Sequence, residues 1–294
     1  MSWIAYTLIA TFLMAMVNII DKYLLSKLVA KPVVPLMVLG LVGAISAVII
    51  FLIRGFSILS PFHLILAFIC GILYVCMVFL YFQAVKIEDI SRIIPLFYLS
   101  PIYILFIALI FLGERFTASK YLGILLIVSM AIVISMKDIR AFYLSKALWY
   151  IVLSSFAGAV IQVITKYLLT QNEFWTIFAY IRFSAFIALI PIYWVNISEL
   201  KSVYRSTGFK PIGLIIGNET LTLVSTILGT AAIAVGFVTL CNALSSVQPL
   251  FVLLFTITLS IFSPQILKEE LTKSGILVKF IAIILMFIGV LLIA

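Results

Sequence analysis

The chain has 294 residues, of which 66% are hydrophobic and only 10% charged, with a mean hydropathy of +1.36. That leaves too few polar side chains to wrap a water-soluble core, so the hydrocarbon of a bilayer is the solvent this sequence suits. The formal charge of +9 does not point to nucleic acid, because Lys and Arg stand singly between apolar runs and form no stripe; topology and lipid headgroups account for them better.

Apolar runs long enough to cross a bilayer fall at residues 3–21, 33–53, 64–85, 93–112 and 121–136, then at 147–165, 174–195, 211–236, 242–262 and 275–294. None alternates with period two, and lipid requires each segment to pair its own backbone groups, so all are predicted helices. Trp3 opens the first run almost at once, with no basic stretch or small-residue cleavage signature before Asp21, which predicts a retained span. The longest connectors are predicted at 137–146 and 196–210, the first being the seam between residues 1–140 and 141–294. The expected fold is an all-α integral membrane protein of ten transmembrane helices, built as two inverted five-helix repeats.

Three matched places carry the expectation of repeats. Lys22-Tyr23-Leu24-Leu25-Ser26 ends the first run and Lys166-Tyr167-Leu168-Leu169-Thr170 the sixth, which sets Asn18 and Gln162 in the same register one turn inside. Pro101 in the fourth run answers Pro249 in the ninth. The acidic turns Glu114-Arg115-Phe116-Thr117 and Glu269-Glu270-Leu271-Thr272 follow at matching separations. Connector charge points the same way. Lys22, Lys27 and Lys31 in the first connector face only Lys166 in its counterpart, whereas Arg54 in the second faces Lys201, Arg205 and Lys210. Opposite bias in equivalent loops is what inversion demands, and an odd number of crossings per copy makes inversion obligatory.

The run from Pro101 to Leu112, then Gly113-Glu114-Arg115-Phe116-Thr117 and Leu122-Gly123-Ile124-Leu125, resembles the signature end of an EamA repeat of the drug/metabolite transporter superfamily. The second half departs from the motif, with Lys268-Glu269-Glu270-Leu271-Thr272 and extra residues around Pro264. The resemblance implies a ten-helix carrier in which the first four spans of each half surround a central cavity and the fifth and tenth lie outside it. It implies cytoplasmic termini, whereas the basic residues, most of them in odd-numbered connectors, would place the termini outside. It implies cargo among amino acids, other metabolites, nucleotide sugars or drugs.

Two ionisable groups fall deep within spans, Arg182 in the seventh and Glu219 in the eighth. Burying such a charge costs about 2.5 to 3.5 kcal/mol even on the lenient insertion scale, so each needs a partner or a wet cavity. Two readings stand: Arg182 binds an anionic group of the cargo while Glu219 balances it or exchanges a proton, or the two form a permanent structural pair. Asn18, Gln83, Gln162, Asn218, Asn242 and Gln248 are further candidates for cargo contact, although amides also join helices at about 0.6 kcal/mol each. Pro101 and Pro249 remove amide hydrogens that would bond the carbonyls of Phe97 and Ser245, which makes them candidate hinges or static bends. Trp149 and Trp194 read as interfacial anchors, and Gly40 with Ala44, Ser154 with Gly158 and Gly213 with Gly217 as close helix contacts.

Cys70, Cys76 and Cys241 lie in apolar runs at no ligand spacing, and His63 is the lone histidine, so no metal site, disulfide or cofactor is expected. No phosphate loop, His-Glu-x-x-His or Gly-x-Ser-x-Gly occurs, which leaves no catalytic residues to name. The leading expectation is a secondary transporter in the plasma membrane that moves a small polar or amphipathic metabolite by alternating access. Its partners would be that metabolite, membrane lipid and a candidate coupling proton, with no nucleic acid. The alternatives are a flippase for lipid-linked sugars or headgroups on the same scaffold, and a channel.

Overall fold

The structure, a computed structural model, describes residues 2–24, 33–87, 96–135, 146–262 and 273–294. Among these residues every regular element is helical. The first half contributes α1 (Trp3–Tyr23), α2 (Val33–Arg54), α3 (Pro61–Ile87), α4 (Ser100–Phe111) and α5 (Ala118–Ser135). The second contributes α6 (Lys146–Gln171), α7 (Phe174–Thr207), α8 (Phe209–Val235), α9 (Val238–Ser245), α10 (Gln248–Phe262) and α11 (Lys273–Ile293). Among the described residues, seven segments are long and apolar enough to cross a membrane, and α4, α5 and α11 supply shorter apolar stretches. Side chains such as Leu52 (80% exposed), Trp194 (84%) and Leu291 (77%) stand on the outer surface, a cost in water and none in hydrocarbon. The protein is an integral membrane protein.

Polar residues at the run boundaries start the helices. Ser2 accepts the Ala5 N–H at 3.3 Å, Ser60 the His63 N–H at 3.3 Å beside Pro61, and Glu173 the Thr176 N–H at 2.7 Å. Stretch 196–207, expected as a connector, is instead helix: α7 runs on to Thr207, and Asn196 donates to the Ile192 carbonyl at 3.0 Å. Ser198, Lys201, Ser202 and Arg205 stand exposed on this extended helix and do not break it. The connector at 137–145 and the acidic turn at 268–272 lie outside the described residues.

The fourth and ninth predicted runs are not single kinked helices. The ninth is broken at Ser246 and Val247, where Val247 N–H bonds the Leu244 carbonyl at 3.1 Å, and the fourth turns at Tyr98 and Leu99, with Leu99 N–H on the Leu96 carbonyl at 3.2 Å. Pro101 and Pro249 are each the second residue of the new helix that follows. A first-turn amide has no intrahelical partner to lose, so the ring sits there without strain. The breaks therefore fall at matching places relative to the two prolines.

Helices of the two halves interleave. The pairs α1 with α8 and α3 with α6 are extensive, as are α2 with α7 and α5 with α11. Packing of α3 on α7 is matched by α2 on α8, and that of α4 on α6 by α10 on α1. Exchanging the halves maps this set of contacts onto itself.

Small residues set the closest approaches. A Cβ on Gly71 of α3 would lie 2.5 Å from the Ser184 Cβ and 2.6 Å from the Ala185 nitrogen of α7. Gly123 of α5 and Gly289 of α11 meet reciprocally, each so close that a Cβ would lie within 2.9 Å of the other's carbonyl oxygen. Of the contacts expected from sequence, Gly40 abuts Leu189 and Tyr193, and Gly158 abuts Met77, whose carbonyl accepts the Ser154 hydroxyl at 2.8 Å. Gly217 does not fit that expectation, because nothing lies within 4 Å of where its Cβ would be. Cys70, Cys76 and Cys241 are free thiols, the first and last buried and Cys76 exposed.

Candidate functional site

A cavity of about 450 Å³ lies between α1, α3, α6, α7, α8 and the broken helices, in the size range of small-molecule sites. The α1 wall presents Thr7, Thr11, Met14, Asn18 and Asp21, spaced alternately four and three residues apart so that all share one helical face. From α8 come Glu219, Thr222, Thr226 and Thr230, and from α6 Ser155, Gln162 and Thr165. Tyr74, Tyr81, Phe97 and Phe178 supply aromatic surface.

Four of the threonine hydroxyls are satisfied by their own helices. Thr7 and Thr11 donate to the carbonyls of Trp3 and Thr7 at 2.8 and 2.7 Å, and Thr222 and Thr226 to those of Asn218 and Thr222 at 2.9 and 2.7 Å. With the hydrogen spent on the backbone, each oxygen can only accept from the cavity. The carboxyl groups of Asp21 and Glu219 stand in the same two helices, so the α1–α8 wall is rich in acceptors. Opposite it, the Arg182 guanidinium of α7 lies 5.0 Å from the Tyr74 ring centre and 5.2 Å from that of Phe178.

Of the residues predicted from sequence, Asn18, Gln162, Arg182, Glu219, Gln248 and Pro101 all line the cavity. Asn218 is behind the wall: 2% exposed, it donates from Nδ2 to Asp21 Oδ1 at 2.7 Å, and its Oδ1 is buried without a partner. Gln83 does not line the cavity, nor does Pro249, which is buried in packing. Arg182 and Glu219 are both buried, at 7% exposure, yet among the described residues no salt bridge within 4.0 Å joins them. They act on each other only through the field, and Asp21 acts on Glu219 likewise. Gln162 is engaged by Asn242, which donates from Nδ2 to Gln162 Oε1 and to the Val238 carbonyl at 3.2 Å.

Asp21 is the principal residue that sequence reasoning missed. It closes an apolar run and so reads as a loop boundary, whereas its signal was the spacing of Thr7, Thr11, Asn18 and Asp21 along one face. Asn172 Nδ2 donates to His63 Nδ1 at 3.2 Å, and His63 lies outside the cavity.

A helical membrane protein that lines a central cavity with both acceptors and a buried cation has the construction of a membrane transporter. Residues 1–136 match the sequence model of the EamA-like transporter family, which lies within the drug/metabolite transporter superfamily. No curated protein matches the sequence. A solved structure described simply as the crystal structure of a protein superposes with a TM-score of 0.67 at 17% identity, covering 99% of this chain and 97% of its own. That likeness extends the fold over both halves.

Proposed function

We propose that the protein is a secondary transporter of the plasma membrane that carries a small polar or amphipathic metabolite by alternating access, through ten spans arranged as two inverted five-helix repeats, residues 1–140 and 141–294. One observation carries the reading: the two halves line the cavity in the same registers. Thr11, Met14, Asn18 and Asp21 of α1 correspond at a constant offset to Ser155, Gly158, Gln162 and Thr165 of α6, and all of them line it. Tyr74, Met77, Val78, Tyr81 and Phe82 of α3 correspond likewise to Thr222, Ser225, Thr226, Gly229 and Thr230 of α8, at the offset that also relates Pro101 to Pro249. Related walls around one shared site are what a two-sided carrier requires.

The charges suggest how cargo lies. Arg182 offers a forked donor to an anionic group, while Asp21, Glu219 and the threonine oxygens accept from an amine or hydroxyls, with Tyr74 and Phe178 against the apolar part. A cargo with both kinds of end satisfies both walls. Glu219 and Asp21 are also the groups through which a coupling proton would pass; Arg182, Tyr81 and Asn218 are the polar and titratable neighbours that face them. No cofactor, metal or catalytic step enters this reading, and the paired prolines serve as the places where the broken helices pivot.

Purified protein screened by thermal shift against amino acids, sugars, nucleotides and lipid precursors identifies the cargo, since a bound ligand stabilises by mass action. In proteoliposomes that cargo is expected to show saturable uptake and counterflow against an internal pool. Flux that neither saturates nor exchanges would overturn the carrier in favour of a channel, and a stabilising lipid precursor would favour the flippase. If the carboxyl pair conducts the coupling proton, Glu219→Gln or Asp21→Asn abolishes the pH dependence of uptake while counterflow at fixed pH persists. Retention of the full pH dependence in both variants excludes the pair as the proton route.

A further inference from the structure

Two ionisable groups with strong partners, Glu114 and Lys166, lie off the cavity. Gly113 ends α4 with φ of +67°, a conformation glycine takes without penalty, and this turn brings the Glu114 N–H back onto the Ala108 carbonyl at 3.2 Å. The Glu114 side chain, 5% exposed, then reaches into the other half, where Oε1 accepts the Val238 N–H at 2.9 Å and Oε2 the Thr239 N–H at 3.2 Å. Those are the first two residues of α9. From α6, Lys166 Nζ donates to the carbonyls of Ile233 at 2.8 Å, Ala234 at 3.4 Å and Gly236 at 2.8 Å, at the end of α8.

A carboxylate thus occupies the positive end of one helix and an ammonium the negative end of the other, on either side of the turn at Gly236 and Phe237. Packing closes over the same turn. A Cβ on Gly236 would lie 2.8 Å from the Trp3 Cβ, and the Phe116 ring meets that of Phe237 edge-on at 5.3 Å. Directly inside it, Thr7, Ile233, Cys241 and Asn242 line the cavity. The closed arrangement carries one cost: the Thr239 hydroxyl is buried without a partner.

We infer that Glu114 and Lys166 form a latch over one mouth of the cavity, holding the α8–α9 turn against α1 and the α4–α5 loop. This mouth opens when the two charges release the helix ends. They are positioning residues, not cargo ligands, and the inference rests on the alternating-access reading. It also gives the Gly113-Glu114 motif a physical role, since the glycine aims the carboxylate that closes the mouth.

The test uses a single reporter, Thr230→Cys on the cavity wall, in a chain carrying Cys70→Ala, Cys76→Ala and Cys241→Ala. A membrane-impermeant maleimide is applied separately to right-side-out cells and inside-out vesicles. With the latch intact the reporter is expected to react from one face only. Glu114→Gln or Lys166→Met is expected to raise labelling from the second face about tenfold or more, the scale of lost charge-assisted hydrogen bonds. Monodisperse elution in detergent verifies folding, and Glu114→Asp and Lys166→Arg, which keep the charge, stand in for either variant that fails it, with smaller rises expected. Unchanged protection in folded variants would overturn the latch, as would labelling of the parent from both faces. So would closure restored by exchanging the residues (Glu114→Lys with Lys166→Glu), because each charge meets a helix end of fixed sign. Labelling needs no transport, so failed counterflow with a protected face would sink the carrier reading while leaving the closed mouth standing.

Discussion

Arg182→Met is expected to weaken binding of the cargo's anionic end about 10- to 100-fold, as loss of a charge-assisted hydrogen bond does, while the protein still folds. Folding survives because Arg182 is held by aromatic faces and packing: its guanidinium sits by Tyr74 and Phe178, and its Cδ lies 3.7 Å from where a Cβ on Gly43 would be. Methionine keeps the unbranched stem and favourable contact with rings, and leaves no carboxylate stripped of a direct partner. Isothermal titration or ligand-induced thermal shift with the cargo found by screening gives the affinity, and elution profile gives the fold. Arg182→Lys keeps the charge without the fork and should fall between. Should Arg182→Met fail to fold and Glu219→Gln restore it, the two are a structural pair acting across the field, and the recognition role is lost.

The second large effect is structural. Gly71→Leu is expected to abolish assembly of α3 on α7, and Gly71→Ala to cost about 1–3 kcal/mol as overpacking does. The obstruction is the Ala185 backbone nitrogen, 2.6 Å from the new Cβ, and backbone cannot step aside as a flexible side chain does. Gly217→Ala is the control. Its Cβ enters open space, and the helix gains about 0.5–1 kcal/mol from the exchange. Thermal melting in detergent should show the two alanine variants moving in opposite directions; equal shifts would refute the close-approach account.

These two glycines mark where sequence reading runs out. Spacing alone placed Gly213 and Gly217 in the same class as Gly40 and Ala44, because a small residue shows only that a close approach is allowed. The spans were legible because lipid leaves few options: long apolar runs without alternation must be helices. Their interruptions were not. Pro101 and Pro249 announced a lost hydrogen bond, and a bend and a break lose the same one. Past Val195 the polar residues looked like a connector, yet they are helix-compatible and simply continue the helix to Thr207.

Within the site, Arg182 and Glu219 stood out because their burial is costly, and Asn18 with Gln162 because their registers matched. Gln83 carried the same amide signal, and which side of α3 it takes depends on packing partners far along the chain. The threonines were overlooked singly, since a hydroxyl in an apolar run is unremarked until three of them, Thr222, Thr226 and Thr230, share one face of α8. Tyr74 of α3 joins Arg182 only through tertiary contact, whereas Phe178 lies one turn before it on α7.

The reciprocal meeting of Gly123 and Gly289 has a mechanical meaning. Main chain touches main chain there, and the side chains of Ile127, Leu292 and Ile293 close tightly around the contact. Such a seam behaves as the spine of a book: both covers stay bound to it while the pages part along the far edge. In the proposed carrier, the swing that exposes the cavity falls to the helices that line it, and the α5–α11 pair, which does not line it, serves as the frame against which they turn.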